Sequence, residues 1–407
     1  MIVKTVALLG HKDHGKSTLI GSMLMQTGAA TQVRIKEAEA YSKKLGKPFE
    51  PAFILDSFHE EREQGMTYDT TRAQIKYKDI AFSLIDVPGH EELIKNMISG
   101  ASYGELAVLL VSAKSDEGIR DQTKRHLFVS RMLGIERLVV AVNKMDSVEY
   151  DESVFNNIKN GLIGFINRIG FRKEDVDFVP ISAYNGENLV EKSRNMPWYK
   201  GSTLIDAIYG SFENARENYS SGALRIVVQG VIDQERKIIA GRIISGRLEI
   251  SDRVDVLPIG KSATVKEIIV KGKSIDAAEV GENIAITLDN DIGSEMRGNI
   301  ISKVGSGPRV TDTVNAKVFV TGSIGNKPSV KFNGIDVGCK GISVLDVIDT
   351  TTGEKTEGKD AEALNAIDAK ITFDRKLPVE NYTVLKELGR FVLYSAGEFA
   401  GIGIIED

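Results

Sequence analysis

Nine residues from Gly10 to Thr18, GHKDHGKST, set two lysines, two histidines, an aspartate and two hydroxyls around a pair of glycines. The first eight fit the spacing G-x-x-x-x-G-K-[ST], which holds phosphate groups when it lies between a strand and a helix. The run TVALL ahead of it and KSTLIGSMLMQ behind it supply that context. Backbone N–H groups from Asp13 through His14, Gly15, Lys16 and Ser17 to Thr18 are expected to wrap a β-phosphate, and the helix N-terminus adds its positive end. Lys16 can reach the β- and γ-phosphates, and the Ser17 hydroxyl can bind Mg²⁺. A metal clamp made of His11 and His14 is not supported, because the pair precedes the helix and no third ligand is evident nearby.

Three further stretches supply what the loop lacks, in the order a nucleotide switch needs them. Asp86-Val87-Pro88-Gly89 follows the run AFSLI, so Asp86 can hold Mg²⁺ through water and the Gly89 N–H can sense a γ-phosphate. Asn143-Lys144-Met145-Asp146 ends the run LVVAV. There the Asp146 carboxylate can accept from the ring N–H and the exocyclic amine of guanine, a pattern that adenine does not offer. Asn143 is expected to brace the loops, and the Lys144 stem to lie along the base. Ser182-Ala183 ends the run FVPI, with the Ala183 N–H placed to donate to guanine O6. The Asn143–Asp146 stretch alone reads equally as a solvated turn after a strand. All four in sequence point to GTP and GDP, with Mg²⁺ as the accompanying ion.

Loops of this kind need rigid strands behind them. From Val3 to about Phe212, short apolar runs alternate with amphipathic stretches, as in LAVLLVS then QTKRHLFVSRML, and LVVAVN then VFNNIKNGLIGFINRI. That alternation predicts an α/β P-loop domain with a mostly parallel, doubly wound sheet covered by helices on both faces. After the polar stretch ENARENYSSG the helical periodicity stops. Strand-like runs broken by Gly, Asp, Asn and Ser follow, including RIVVQGVI, KIIAGRII, NAKVFVTG and RFVLYSA, and they predict two small antiparallel β-barrels. The expected boundaries are 1–212 for the nucleotide domain, 213–222 for a linker, and 223–306 and 309–407 for the barrels.

Bulk properties narrow the function classes. The net charge of −5 argues against a chain coated in basic surface, so any contact with nucleic acid is expected to be local. Cys339 is the single cysteine, which rules out an intrachain disulfide and suits a reducing cytosol. MIVKTVALLG runs straight into the glycine loop without a small-residue cleavage site and reads as a buried strand rather than a leader. Apolar runs such as Leu106–Val111 are far shorter than the roughly twenty residues that cross a bilayer, so no membrane role is expected.

The first domain resembles the translational GTPases, near archaeal and eukaryotic elongation factor 1-alpha. The likeness is carried by GHKDHGKST, EREQGMT at Glu61–Thr67, DVPGH at Asp86–His90, KNMISGAS, NKMD, and NMPWYKG at Asn195–Gly201. It runs nearly end to end through that domain and more loosely through the two barrels. It implies a cytoplasmic switch whose slow GTP hydrolysis is accelerated by a partner. It also implies that Thr67 meets Mg²⁺ with its hydroxyl and the γ-phosphate with its backbone, and that His90 orients the attacking water. Placing water and neutralising charge is most of what phosphoryl transfer requires. The implied partners are the ribosome and a tRNA, or a tRNA-mimicking protein factor, with a guanine nucleotide exchange factor besides. Two features depart from the family. Lys12 stands where a small apolar residue usually helps screen the catalytic histidine, a duty shared with the position of Met66. All five histidines lie at or before His126, so the histidine-bearing stretch with which the family's last barrel helps hold tRNA has no counterpart.

The GTPase subunit of sulfate adenylyltransferase shares the architecture, and EREQG, PGHE at Pro88–Glu91, QTKRH, AGRIISG and LPIGKSATVKEI resemble it as well. That family usually carries a second aspartate where this chain has His14, whereas the elongation factors carry histidine. The alternative partner is a sulfate adenylyltransferase catalytic subunit.

Overall fold

The apolar run ahead of the glycine loop is strand β1 (Ile2–Leu9), and it sits inside a six-stranded sheet. The other strands are β2 (Arg72–Tyr77), β3 (Ile80–Asp86), β4 (Leu106–Ser112), β5 (Arg137–Asn143) and β6 (Val176–Pro180), in the order β2-β3-β1-β4-β5-β6. In this computed structural model the described residues are 2–55, 72–86, 106–213, 222–233, 237–290, 292–293, 296–322, 324–325, 327–358 and 363–407. All neighbours in the sheet pair in parallel except β2, which runs antiparallel to β3 at the edge.

The central strands are apolar along their whole length because both faces are covered. Every residue of β4 is buried, and β5 is buried from Leu138 to Asn143. On one face Val6, Leu8, Val108, Leu110, Val139 and Ala141 share a core with Leu19, Ile20 and Met23 of helix α1 (Lys16–Gln26) and with Leu204, Ile208 and Phe212 of the helix Leu204–Glu213. The alternate residues Ala7, Leu9, Leu109, Val111, Val140 and Val142 are equally buried, as the two-residue repeat of a strand demands of a sheet with two covered faces. The parallel arrangement brings the C-terminal ends of β1, β3, β5 and β6 to one side of the sheet. Open α/β sheets bind ligands there.

The chain divides into two compact units, and the second contains two barrels. Its strands alternate between buried and partly open positions, as in Arg253–Leu257 and Asn283–Leu288, so each sheet has one inward face. The first barrel is built from β7 (Arg225–Asp233), β8 (Ile238–Ser245), β9 (Arg247–Glu249), β10 (Arg253–Leu257), β11 (Lys261–Val270), β12 (Lys273–Ile275), β13 (Ala277–Glu279), β14 (Asn283–Leu288) and β15 (Ile300–Lys303). The order β10-β15-β7-β8-β14-β11 closes when β11 pairs with β10, with Val254 opposite Ala263. The second barrel uses β16 (Arg309–Val320), β17 (Pro328–Phe332), β18 (Ile335–Ile348), β19 (Lys355–Glu357), β20 (Ala366–Val379), β21 (Arg390–Ser395) and β22 (Glu398–Ile405). It closes as β17-β21-β22-β16-β20-β18 and back to β17. Closure leaves the six-stranded cycles without open edges. Each barrel has its own apolar core, around Val228, Val254 and Ile301 in the first and Val318, Phe373 and Leu393 in the second. Arg225 at the start of β7 donates from Nε and Nη2 to Glu380 Oε1, at 3.0 and 2.7 Å, and so ties one barrel to the other.

Candidate functional site

Gly10 leaves β1 with φ +140°, so close to β4 that a Cβ would stand 2.7 Å from the Leu110 carbonyl oxygen. The chain then makes a single 3₁₀ turn over Lys12–His14, passes Gly15 in the left-handed region (φ +87°), and enters α1 at Lys16. Gly15 is required for its φ and for space, since a Cβ there would lie 2.7 Å from Asn143 Nδ2. Lys16 Nζ curls back over the loop and donates to the carbonyls of Gly10 at 2.9 Å and His11 at 3.4 Å. Ser17 is exposed at the first turn of α1, and the Thr18 hydroxyl donates to Glu50 Oε1 at 2.9 Å. Asp13 is exposed beside His11 Nδ1, 3.4 Å from Oδ2. The loop is thus a concave backbone turn at a helix N-terminus with a lysine folded over it. That donor set fits a polyphosphate.

His14 is wholly buried. Its Nδ1 lies 2.9 Å from the Leu110 carbonyl and its Nε2 lies 3.3 Å from the Glu117 carbonyl. Burial pushes its pKa below the ordinary histidine value, against the pull of those two carbonyls.

The Asn143–Asp146 loop at the end of β5 meets the phosphate loop at its first residue. Asn143, 2% exposed, donates from Nδ2 to the His14 carbonyl at 2.8 Å and accepts at Oδ1 from the Ala183 N–H, also at 2.8 Å. The Ala183 N–H, expected to face guanine O6, is therefore engaged with Asn143, and a base can share it only as a second acceptor. Lys144 adopts the left-handed region (φ +65°), and its ammonium donates to Glu117 Oε2 at 2.6 Å. Ser182 Oγ donates to Asp146 Oδ1 at 2.5 Å, fixing the carboxylate's orientation. The second fixed side of the Ser182–Ala183 loop is α1, where Ser22 Oγ donates to the Ala183 carbonyl at 2.5 Å and Gln26 Nε2 to the Gly186 carbonyl at 2.8 Å.

Asp13 to Thr18, Asn143, Lys144, Asp146, Ser182 and Ala183 are therefore gathered at one end of the sheet. Asp86 ends β3, its backbone paired with Leu8 of β1, while its side chain lies outside the described residues. Thr67, Met66, Gly89, His90 and the side chain of Lys12 also lie outside them. Glu117 and Glu50 were not singled out from sequence. Glu117 stands in the polar loop Ala113–Gly118 with partners 27 and 103 positions away, a separation that no local pattern encodes. No cluster of three or more metal-ligating side chains occurs among the described residues, and no described helix is long and apolar enough to cross a membrane.

Comparison with known proteins places these features in a family context. The model described as "Elongation factor Tu GTP binding domain" matches residues 2–214, and "GTP-eEF1A C-terminal domain-like" matches residues 314–406. The chain is 35% identical to elongation factor 1-alpha of Aeropyrum pernix, covering 99% of this chain and 96% of that protein. It is 36% identical to elongation factor 1-alpha of Sulfurisphaera tokodaii, covering 98% and 96%. Among solved structures, sup35 complexed with GDP aligns at 22% identity with a TM-score of 0.44, over 100% of this chain and 94% of that one.

Proposed function

The chain belongs to the elongation factor 1-alpha family of translational GTPases, and on that premise we propose that it carries a tRNA or a tRNA-mimicking protein factor to the ribosome in its GTP form. One observation carries the nucleotide part of this reading. The phosphate loop, the Asn143–Asp146 loop and the Ser182–Ala183 loop are hydrogen-bonded into one unit at the strand ends. Its phosphate-loop donors and its base-side carboxylate stand on different loops of that one unit, as a nucleotide requires.

In this reading Asp146, held by Ser182, accepts from the two N–H donors on the guanine edge, and Lys144 walls one face of the ring. Backbone N–H groups from Asp13 to Thr18 and the Lys16 ammonium take the β- and γ-phosphates, which requires Lys16 to exchange its contacts with Gly10 and His11 for phosphate oxygens. Ser17, Thr67 and Asp86 would hold Mg²⁺, which supplies charge neutralisation on the phosphates. The exposed Ser17 hydroxyl at the helix start suits that duty. His90 would orient water, with the Gly89 N–H reporting the γ-phosphate. The family's setting favours the cytoplasm, and a guanine nucleotide exchange factor would reload the switch. The sulfate-activating alternative is not favoured, since the Aeropyrum pernix and Sulfurisphaera tokodaii relatives, which match 99% and 98% of the chain, are elongation factors.

The test is affinity capture of the full chain from its native cell with a non-hydrolysable GTP analogue, compared with GDP. Ribosomal components enriched only in the GTP form are expected. Recovery of an adenylyltransferase subunit would overturn the translation reading. A salt titration then separates cargoes, because RNA held by its backbone loses affinity steeply with added salt and a protein mimic does so less.

A further inference from the structure

Glu117 lies outside both loops of the nucleotide site and touches each of them. Its carboxylate accepts from the Lys144 ammonium at 2.6 Å, and its own carbonyl faces His14 Nε2 at 3.3 Å. The circuit closes on itself, since the His14 carbonyl accepts from Asn143, the residue bonded to Lys144. The side chains of Glu117 and Lys144 are 19% and 24% exposed, so the pair is partly withdrawn from solvent. Desolvation opposes charge on Glu117, but the Lys144 ammonium and the Ser112 hydroxyl outweigh it and hold the carboxyl below its ordinary range.

Resting on the base-site reading above, we infer that Glu117 is a positioning residue for nucleotide binding, pinning Lys144 so that its methylene stem forms a preset wall for the purine face. A free lysine carries considerable rotamer freedom, which a ligand would have to remove on binding. Anchoring the ammonium at its far end removes that freedom beforehand. The left-handed backbone of Lys144 is consistent with this, because it fixes where the stem starts while Glu117 fixes where it ends. The stem meets the ring by its face, and the face is common to guanine and hypoxanthine. Glu117 therefore acts on affinity without reading the base, whereas Asp146 reads it.

A double-mutant cycle on the full chain tests this, with GDP and IDP titrated to equilibrium against the parent, Glu117→Ala, Glu117→Gln, Lys144→Met and the Glu117→Ala/Lys144→Met pair. Glu117→Ala is expected to weaken both nucleotides about tenfold and by the same factor, the scale of one charge-assisted hydrogen bond at a partly exposed site. Glu117→Gln, which keeps an acceptor at the same reach, is expected to recover most of the loss. The double variant is expected to bind no more weakly than Lys144→Met alone, because Glu117 acts only through that lysine. Should Glu117→Ala fail to fold, Glu117→Asp carries the same cycle with a reach one methylene shorter. Multiplicative losses in the double variant, or unequal losses for GDP and IDP, would overturn the inference while leaving the site intact. A parent that binds neither nucleotide would instead overturn the base-site reading itself.

Discussion

Replacing Asn143 should damage stability and binding together, and the size of the effect can be worked from two hydrogen bonds. Asn143→Ala removes the donor to the His14 carbonyl and the acceptor for the Ala183 N–H, both 2.8 Å contacts at a side chain 2% exposed. Each orphaned backbone group costs about 1–3 kcal/mol, so a loss of about 3 kcal/mol is expected after some relaxation. For a unit of this size, about 2–4 °C per kcal/mol gives a fall of roughly 6–12 °C in the melting temperature. Asn143→Asp separates the two contacts. It keeps an oxygen for Ala183 but sets a carboxylate oxygen against the His14 carbonyl. The protonated acid can still donate to that carbonyl, so the folded-state pKa should be raised. The stability that this donation contributes is present at low pH and lost as pH rises through the folded-state value. All described α-helices lie in the first unit, so thermal unfolding followed by far-UV circular dichroism reports on it selectively. Melting within 2 °C of the parent for both variants, with unchanged affinity for GDP, would refute the reasoning that Asn143 joins the loops.

Asp146→Asn should weaken GTP and favour xanthosine nucleotides, because an amide N–H can meet the carbonyl at that ring position; equal GTP affinity for variant and parent by equilibrium titration would remove Asp146 from base reading. His90→Ala should leave GTP affinity nearly intact while lowering the partner-stimulated hydrolysis rate, the signature of a group acting on water in the transition state, and an unchanged stimulated rate would exclude it. Glu380→Ala should cost the barrel unit about 3 kcal/mol by stranding the Arg225 guanidinium, whose side chain is 9% exposed. Urea unfolding followed by hydrogen exchange of the barrel-strand amides measures that loss, and a midpoint equal to the parent's would mean that the pair contributes nothing net.

The fold class was legible because its signal is periodic and local. LAVLLVS reads as a strand covered on both faces, and it is buried at every position. The helix Gln32–Lys44 gave no such signal, since only Ala38 and Ser42 among its residues are buried and no apolar stripe marks its face. The edge strand β2 carried a weaker signal, with Ala73 and Ile75 buried between exposed Gln74 and Lys76. In the candidate site, the motif residues were legible because strand ends and short loops fix them within a few positions of one another. Their supports were not. Glu50 under Thr18 and Glu117 under Lys144 come from segments whose sequence is that of ordinary polar loops, and only the tertiary fold selects them.

That division has a physical source. A nucleotide-binding motif is a local backbone device, so its residue types are dictated by φ, by close approach and by the ligand's own donors and acceptors. Gly15 illustrates this, being required by its φ of +87° and by the 2.7 Å that would separate a Cβ from Asn143 Nδ2. The rigidity of the device is non-local. It is supplied by buried hydrogen bonds between loops, such as Asn143 to the His14 and Ala183 backbones and Ser182 to Asp146. Because Asn143 joins the phosphate loop to the base-side loops, loosening either end should loosen the other. A single disruption of the Asn143 joint should therefore weaken GDP and GTP alike, whereas changes confined to groups facing the γ-phosphate should discriminate between them.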